Sequence, residues 1–120
     1  MKKVLIVDDE PNIVMSLEFL FRRNDFDVLI ARNGTEALEL LAQNIPDVVL
    51  LDIMMPDVDG YEICTFIREN ERLEDAKVIF LSAKSKNTDI KKGYDLGADL
   101  YITKPFSTRA LLKSVNELIQ

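Results

Sequence analysis

The sequence predicts an α/β fold, a single doubly wound parallel sheet of five strands covered by five helices. Three observations support this prediction. Short continuous apolar runs recur along the chain, and the longer stretches between them carry apolar residues at helical spacing. The length of 120 residues suits one hydrophobic core, so residues 1–120 are treated as one domain.

The strands are identified from apolar runs that are bounded by polar or charged residues. In chain order these runs are Val4–Val7, Val28–Ala31, Val48–Leu51, Val78–Leu81 and Leu100–Ile102. The runs are continuously apolar rather than alternating, which is typical of parallel strands that are buried on both faces.

The helices are identified from apolar residues that recur at intervals of three or four positions. In chain order they are Ile13, Leu17, Leu20 and Phe21; Ala37, Leu38 and Leu41; Ile63, Cys64 and Ile67; Ile90 and Tyr94; and Leu111, Val115 and Leu118. Because these helices alternate with the strands, we expect right-handed crossovers and helices on both faces of the sheet.

Polar side chains stand at the ends of four of the five strands. Asp8 and Asp9 follow the first strand, Asp52 the third, Ser82 the fourth and Lys104 the fifth. Ligands of open parallel sheets bind beyond the carboxyl ends of the strands, so these residues should converge on one site. Each residue alone has an ordinary explanation, such as helix capping by an acid. Their common position at the strand ends is what predicts a shared site.

The chemistry of this group follows from its charges. Three carboxylates in one cleft repel one another unless one is protonated or a cation joins them. Oxygen-only ligands select a hard divalent ion, and Mg²⁺ suits a site that also handles phosphate. Asp52 can then act as a nucleophile, because carboxylates form aspartyl-phosphates. Ser82 and Lys104 are expected to bind oxygens of the phosphoryl group.

Composition excludes several other functions. The net charge of -6 disfavours direct binding to nucleic acid, which requires a concentrated basic face. The absence of histidine removes imidazole catalysis and histidine metal ligands. The N-terminus has too few apolar residues for a signal peptide or a membrane span. A single cysteine, Cys64, excludes an internal disulfide and is typical of a cytoplasmic protein.

The segment after the third strand is predicted to form a loop that leads into the third helix. Pro56 and Gly60 shape the turn, and Asp59 is a candidate N-cap. We expect Met55 to pack beneath the loop. Asp57 is interpreted as a solvated loop acid rather than a ligand.

Five motifs carry a resemblance to a known family: VLIVDDEPN, ARNGTEAL, DVVLLDIMMPDVDGYE, VIFLSAK and GADLYITKPF. In these motifs, and over essentially its whole length, the chain resembles the receiver domains of two-component response regulators. The resemblance implies a flavodoxin-like sheet with strand order 2-1-3-4-5. It also implies a cytoplasmic signalling switch in which Asp52 accepts a phosphoryl group from a sensor histidine kinase or phosphotransfer protein. Such a domain is a phosphoacceptor rather than an enzyme, although it assists its own phosphorylation and dephosphorylation.

The resemblance also assigns roles to individual residues. It implies that Asp8, Asp9, Asp52 and the backbone carbonyl of Met54 hold Mg²⁺, with Asp9 as a direct ligand. We expect the side chain of Met54 at the mouth of the pocket.

The remaining implied roles concern the phosphoryl group and the switch. Ser82 and Lys104 contact the phosphoryl group, and the Lys104–Pro105 bond is expected to be cis. Tyr101 turns inward when the hydroxyl of Ser82 moves, which reshapes the surface of the fourth helix, fifth strand and fifth helix. That surface would control an output partner or domain that the sequence does not identify. No output domain follows Gln120, so the chain is expected to act by itself or to be an excised receiver.

A docking surface for the kinase is expected on the first helix. With the apolar face of that helix turned to the core, Met15 and Phe19 lie four residues apart on its outer side and can form a small apolar patch. Scattered surface hydrophobes are the alternative explanation. The resemblance adds Asn12, Ile13 and Phe106 to the surface that would contact the kinase.

Two rival classes share part of this pattern. A phosphatase of the haloacid-dehalogenase type also uses a strand-end aspartate and Mg²⁺, but it needs a second acid two residues later, where this chain has Met54. A flavodoxin-like FMN carrier needs a glycine- and hydroxyl-rich phosphate loop after the first strand. This chain has VDDEPN there, which repels phosphate unless a metal intervenes.

Overall fold

The computed structural model describes all residues from 1 to 120, and it contains one five-stranded sheet. The strands are β1 (Lys3–Val7), β2 (Asp27–Ala31), β3 (Val48–Leu51), β4 (Lys77–Ser82) and β5 (Leu100–Thr103). All neighbouring strands are parallel, and their order is β2-β1-β3-β4-β5. The expected flavodoxin-like topology is confirmed.

Each strand is followed by a helix. The helices are α1 (Pro11–Arg23), α2 (Gly34–Gln43), α3 (Gly60–Glu69), α4 (Asn87–Asp95) and α5 (Thr108–Leu118), and a short 3-10 turn (Glu71–Leu73) precedes β4. None of these helices is both long and apolar enough to cross a lipid bilayer.

The sheet separates two hydrophobic clusters. Alternate residues of a strand point to opposite faces, so Leu5 and Val7 enter the cluster beneath α2 and α3, while Val4 and Ile6 enter the cluster beneath α1 and α5. All four side chains are fully buried. Burial on both faces is the physical reason for the continuously apolar strands in the sequence.

The fully buried residues of α2, α3 and α5 follow the predicted spacing, with Leu38 and Leu118 half-buried, whereas those of α1 and α4 depart from it. In α1 the buried residues are Val14, Leu17 and Phe21, whereas the predicted core residue Ile13 is only half-buried. Val14 was missed because the apolar stripe is wider than one row of residues, and only its centre faces the sheet. In α4 the fully buried residue is Gly93, whereas the predicted Tyr94 is largely exposed.

The register of β1 and β3 sets the position of the strand ends. Val7 lies opposite Leu51, so the residues that follow both strands leave the sheet side by side. The N–H of Asp52 donates to the carbonyl of Val7 at 2.9 Å, and the N–H of Asp8 donates to the carbonyl of Ala31 at 3.1 Å. These bonds extend the ladder by one residue and fix the backbone of both aspartates.

The start of α3 rests directly on the backbone of Asp52. The N–H of Gly60 donates to the carbonyl of Ile53 at 2.9 Å, and Asp59 caps the helix by accepting from Glu62 N–H, as predicted. A Cβ atom added to Gly60 would lie 2.2 Å from the carbonyl oxygen of Asp52. This close approach requires a glycine.

We predict that Gly60→Ala destabilises the protein by about 2 kcal/mol. The steric clash of the added methyl group with rigid backbone should destabilise the fold by more than the higher helix propensity of alanine stabilises it. Urea unfolding followed by circular dichroism measures the change. Glu69→Ala, at the exposed end of the same helix, is the matched control and should stay within about 0.5 kcal/mol of the wild type. Wild-type stability of Gly60→Ala would contradict the close approach.

Candidate functional site

The predicted site residues meet at the carboxyl edge of the sheet. Asp8 and Asp52 are 2% and 5% exposed, and the side chain of Lys104 is 10% exposed. The ammonium of Lys104 lies 2.9 Å from Asp8 Oδ2 and 3.8 Å from Asp52 Oδ1. The loop after β5 therefore brings a cation across the ends of β1 and β3, although Lys104 and Asp8 are 96 residues apart.

Ser82 and Lys104 are joined through the backbone. Ser82 ends β4 and is fully buried, and its carbonyl accepts from the N–H of Lys104 at 2.8 Å. Its hydroxyl oxygen accepts from the N–H of Lys84 at 3.1 Å. The Lys104–Pro105 peptide bond is cis, as expected.

Glu10 belongs to the site, although it was not among the strand-end residues that the sequence predicted. It makes no side-chain cap bond, and instead its Oε1 lies 3.2 Å from the ammonium of Lys104. Carboxylate oxygens of Asp8, Glu10 and Asp52 all lie within 4.8 Å of one another. Alternate residues of extended backbone face the same way, and this spacing is the signal that could have linked Glu10 to Asp8.

Asp9 lies outside that group of three carboxylates. Its side chain is exposed, as is common for the middle residue of an extended segment. It is still close enough for its charge to raise the pKa of Asp52. Its predicted role as a direct metal ligand stays a prediction.

Burial dominates the electrostatics of the pocket. Desolvation raises the pKa of Asp52 to about 6, and repulsion from Asp8 adds to the effect. Desolvation also raises the pKa of Asp8. For Lys104, desolvation lowers the pKa, but the hydrogen bond to Asp8 and the charges of Asp52 and Asp8 outweigh it, so the net shift is upward. The ammonium therefore remains charged.

The charges and ligand atoms of the pocket fit a divalent cation. Three carboxylates face one ammonium, which leaves an excess of negative charge at a largely buried site. Every available side-chain ligand is an oxygen, the donor type that Mg²⁺ prefers. The three carboxylates therefore fit such an ion.

Tyr101, the predicted switch residue, points inward in this structure. It is 8% exposed, and its hydroxyl donates to the carbonyl of Lys84 at 2.7 Å. Desolvation raises the pKa of this phenol. Its ring packs on Phe80 with centroids 5.8 Å apart, and Phe80 in turn packs on Tyr61 at 5.6 Å. The backbone N–H of Tyr101 donates to the hydroxyl of Tyr94, which explains why that tyrosine lies outside the core.

In the loop between β3 and α3, the structure confirms the expected packing of Met55 and corrects the interpretation of Asp57. Met55 packs against the core, and the side chain of Met54 is 61% exposed. Asp57 is exposed, but it is not merely solvated, because its carboxylate accepts hydrogen bonds from Gly34 and Thr35 at the start of α2. The hydrogen bonds from Thr35 hold the pKa of Asp57 well below its usual range. The partners are more than 20 residues away in sequence, so local reasoning could not find them.

The predicted docking residues lie on the surface near α1. Met15 and Phe19 are each 63% exposed, and the guanidinium of Arg23 lies 5.4 Å from the Phe19 ring centroid. Asn12 is exposed, whereas Ile13 and Phe106 are half-buried against the cluster beneath α1 and α5. The exposure of the apolar pair is as predicted, and its binding role stays a prediction.

The largest cavity lies away from this site. It is an open groove of about 530 Å³ between α3 and α4, and Tyr61, Phe66, Lys92 and Leu96 contribute to its walls. It contains none of the strand-end residues. The acidic pocket is therefore defined by charge and burial rather than by volume.

Comparison with known proteins identifies the family. The family model described as response regulator receiver domain matches residues 4–116. The receiver domain of Francisella response regulator 1452 is 36% identical, with a TM-score of 0.91, and the match covers 99% of this chain and 97% of that one. A CheY-like receiver domain protein from Methanospirillum hungatei is 28% identical, with a TM-score of 0.93 and coverages of 99% and 94%.

A longer protein contains the same domain. DrrB of Thermotoga maritima, described as an OmpR/PhoB homologue, is 35% identical, with a TM-score of 0.88. The match covers 98% of this chain and 52% of DrrB. None of these matches is a phosphatase of the haloacid-dehalogenase type, and Met54 occupies the position of its second acid.

We predict that Asp52→Asn stabilises the metal-free protein at neutral pH. Because the folded-state pKa lies above the unfolded value, ionisation of Asp52 costs stability as the pH rises from about 4 through 6. A shift of about two pKa units corresponds to about 3 kcal/mol, and solvent screening reduces this value. The gain should therefore be about 2 kcal/mol at about pH 7.5 and at most about 1 kcal/mol at about pH 4.5. Urea unfolding in chelator-treated buffer measures it.

The control for this prediction is Asp75→Asn, a change at an exposed acid. It should shift stability by less than about 0.5 kcal/mol at either pH. A stability gain in Asp52→Asn that is equal at both pH values would show that ionisation of Asp52 is not its cause.

Proposed function

The chain belongs to the response regulator receiver domain family, and from this membership we propose that it is a phosphorylation-dependent switch with Asp52 as the phosphoacceptor. The observation that carries the proposal is the position of Asp52. It is the buried acid at the end of the central strand β3, and it shares the ammonium of Lys104 with Asp8. Among the acids of the pocket, it alone follows a strand that pairs with the Ser82 strand.

The proposed reaction is a direct phosphoryl transfer. A carboxylate oxygen of Asp52 attacks phosphorus, the bond from phosphorus to the donor imidazole nitrogen breaks, and its electron pair returns to that nitrogen. Lys104 binds a phosphoryl oxygen as a fixed charge, and the hydroxyl of Ser82 donates to another. The protein contributes positioning and electrostatics, which supply most of the catalysis in phosphoryl transfer. It is a phosphoacceptor that assists its own phosphorylation and dephosphorylation, not an enzyme acting on other molecules.

Mg²⁺ is the proposed cofactor, held by Asp8, Asp9, Asp52 and the backbone carbonyl of Met54. Receiver domains bind this ion at an acidic site, and the excess of carboxylates here supports the same assignment. When bound, the ion neutralises charge on the carboxylates and on the phosphoryl oxygens. Glu10 adds a further carboxylate beside Lys104 and is a candidate for a water-mediated contact.

The output is proposed to pass through Tyr101. Its ring lies over Gly93 of α4, where an added Cβ would come within 3.0 Å of the ring. A shift of the Ser82 hydroxyl toward a phosphoryl group would alter the space around Tyr101 and so the packing of α4 on β5. The proposed donors are a sensor histidine kinase or a phosphotransfer protein, and the surface of α4, β5 and α5 would contact an output partner or domain.

We predict that Asp52 is the phosphorylated residue and that labelling requires Mg²⁺. Incubation with a small phosphodonor, borohydride trapping and mass spectrometry should place the adduct on Asp52 in the wild type. Asp52→Asn should abolish it, because an amide is not a nucleophile here. Asp75→Asn should label normally. Undiminished labelling of Asp52→Asn would reject the assignment.

We predict that the outer face of α1 contributes to phosphoryl transfer from the kinase but not from small phosphodonors. The double substitution Met15→Gln and Phe19→Gln should slow transfer from the cognate kinase about tenfold, because loss of a central apolar anchor costs more than about 1.4 kcal/mol of binding. The rate with a small phosphodonor should not change, since that reaction needs no docking surface.

The matched control is Ile45→Gln, which removes an apolar side chain of similar exposure from the segment between α2 and β3. It should leave both rates unchanged. If the double variant keeps the wild-type rate with the kinase, the pair is only a set of scattered hydrophobes; equal loss of both rates would indicate a disturbed fold.

A further inference from the structure

The loop from Ile53 to Asp59 joins the phosphoacceptor to α3, and it is fixed at both ends. At its start, the N–H of Ile53 donates to Asp52 Oδ1 at 2.9 Å. At its end, Gly60 lies against the backbone of Asp52, and Asp59 caps α3. The residues between these two ends, which include Met54, are held by a third contact.

Asp57 supplies a contact from the middle of the loop to a different helix. Its Oδ1 accepts from the N–H of Gly34 at 3.0 Å. Its Oδ2 accepts from the N–H of Thr35 at 2.8 Å and from the hydroxyl of Thr35 at 2.6 Å. Beside this contact, a Cβ atom added to Gly34 would lie 2.4 Å from the carbonyl oxygen of Val58. The loop backbone and the first turn of α2 are therefore in direct contact.

The first turn of α2 is capped by two residues. Its own N-cap, Asn33, accepts only from the N–H of Glu36. The free N–H groups of Gly34 and Thr35 are satisfied by Asp57, and the negative charge is favourable at a helix N-terminus. Because α2 packs on the core through Ala37 and Leu41, this helix is a rigid support for the loop.

We propose that Asp57 is a positioning residue for the phosphorylation site. It fixes the loop to α2, so that the backbone carbonyl of Met54, three residues earlier, is already in place when the cation binds. The inference rests on the proposed Mg²⁺-dependent function of Asp52. Without the anchor, cation binding would have to order the loop itself, and the entropy lost would weaken affinity. The role proposed for Asp57 is to hold the loop, and the ligands proposed for the cation do not include it.

The test compares Asp57→Ala with Asn33→Ala, which removes the other cap of the same helix and leaves the loop contact intact. Both variants should lower the melting temperature. Only Asp57→Ala should weaken Mg²⁺ binding, by about tenfold in isothermal titration calorimetry, the lower end of what loss of an outer-shell partner costs at metal sites. In the metal-free protein, amide exchange of residues 53–58 should be faster in Asp57→Ala than in Asn33→Ala.

Several outcomes would overturn the proposal. Equal Mg²⁺ affinity of Asp57→Ala and wild type would do so, and so would equal loss in both variants, which would reduce the effect to helix stability. If Asp57→Ala does not fold, Thr35→Val decides the question by removing only the 2.6 Å contact. It should weaken affinity by a smaller factor, and wild-type affinity would reject the role.

The wild-type measurements separate this inference from the proposed function. A wild type that neither binds Mg²⁺ nor labels at Asp52 rejects the proposed function, and the positioning role with it. A wild type that does both, with an Asp57→Ala variant that does so equally well, rejects only the positioning role. Where Asp57→Ala is weakened, adding Thr35→Val should have little further effect, because the two side chains act through one contact.

Discussion

The parallel register of β1, β3, β4 and β5 is the constraint on which the site depends. Val7 pairs with Leu51, Leu51 with Phe80, and Phe80 with Tyr101, so all four strands end at one edge of the sheet. In a parallel sheet every carboxyl end points the same way, and residues just beyond these ends are neighbours whatever their separation in sequence. A shift of one residue in any pair would turn a strand-end side chain to the other face. Close packing of the buried side chains against the helices on both faces holds the register against such a shift.

The charges at that edge oppose the stability of the fold. Burial raises the pKa of both Asp8 and Asp52, which means that the ionised forms are disfavoured where the fold places them. Lys104 offsets part of this cost, but one ammonium cannot balance three nearby carboxylates. A purely structural cluster of this kind has no reason to be buried, since apolar residues of similar volume would be at least as stable. The arrangement suits the proposed site for a cation and a phosphoryl group, because the cation would supply the missing positive charge and, together with Lys104, would offset the negative charge of the phosphoryl oxygens.

The loops that carry the reactive groups are short and are fixed by hydrogen bonds. Gly60 brings α3 onto the peptide of Asp52, Asp57 joins the same loop to α2, and the carbonyl of Ser82 fixes the backbone of Lys104. Tyr101 is different, because its inward position depends on a hydroxyl contact to Lys84 and on ring packing against Phe80. The residues proposed to react are therefore attached to backbone that is fixed by hydrogen bonds. The side chain of Tyr101, the residue proposed for signalling, is held only by these contacts, which can change by rotation about its side-chain bonds.

The sequence by itself determined the strands, their burial on both faces and the convergence of Asp8, Asp52, Ser82 and Lys104. These features follow from local patterns: an apolar run marks a strand, and the polar residue after it marks the edge. Only the tertiary structure decided that Glu10 faces Lys104, that Asp57 caps α2, and that Val14 rather than Ile13 lies at the centre of the α1 contact. Each of these depends on a partner far away in sequence or on the rotation of a helix about its axis. A carboxylate on an extended segment has many possible partners, and the packing of the elements selects among them.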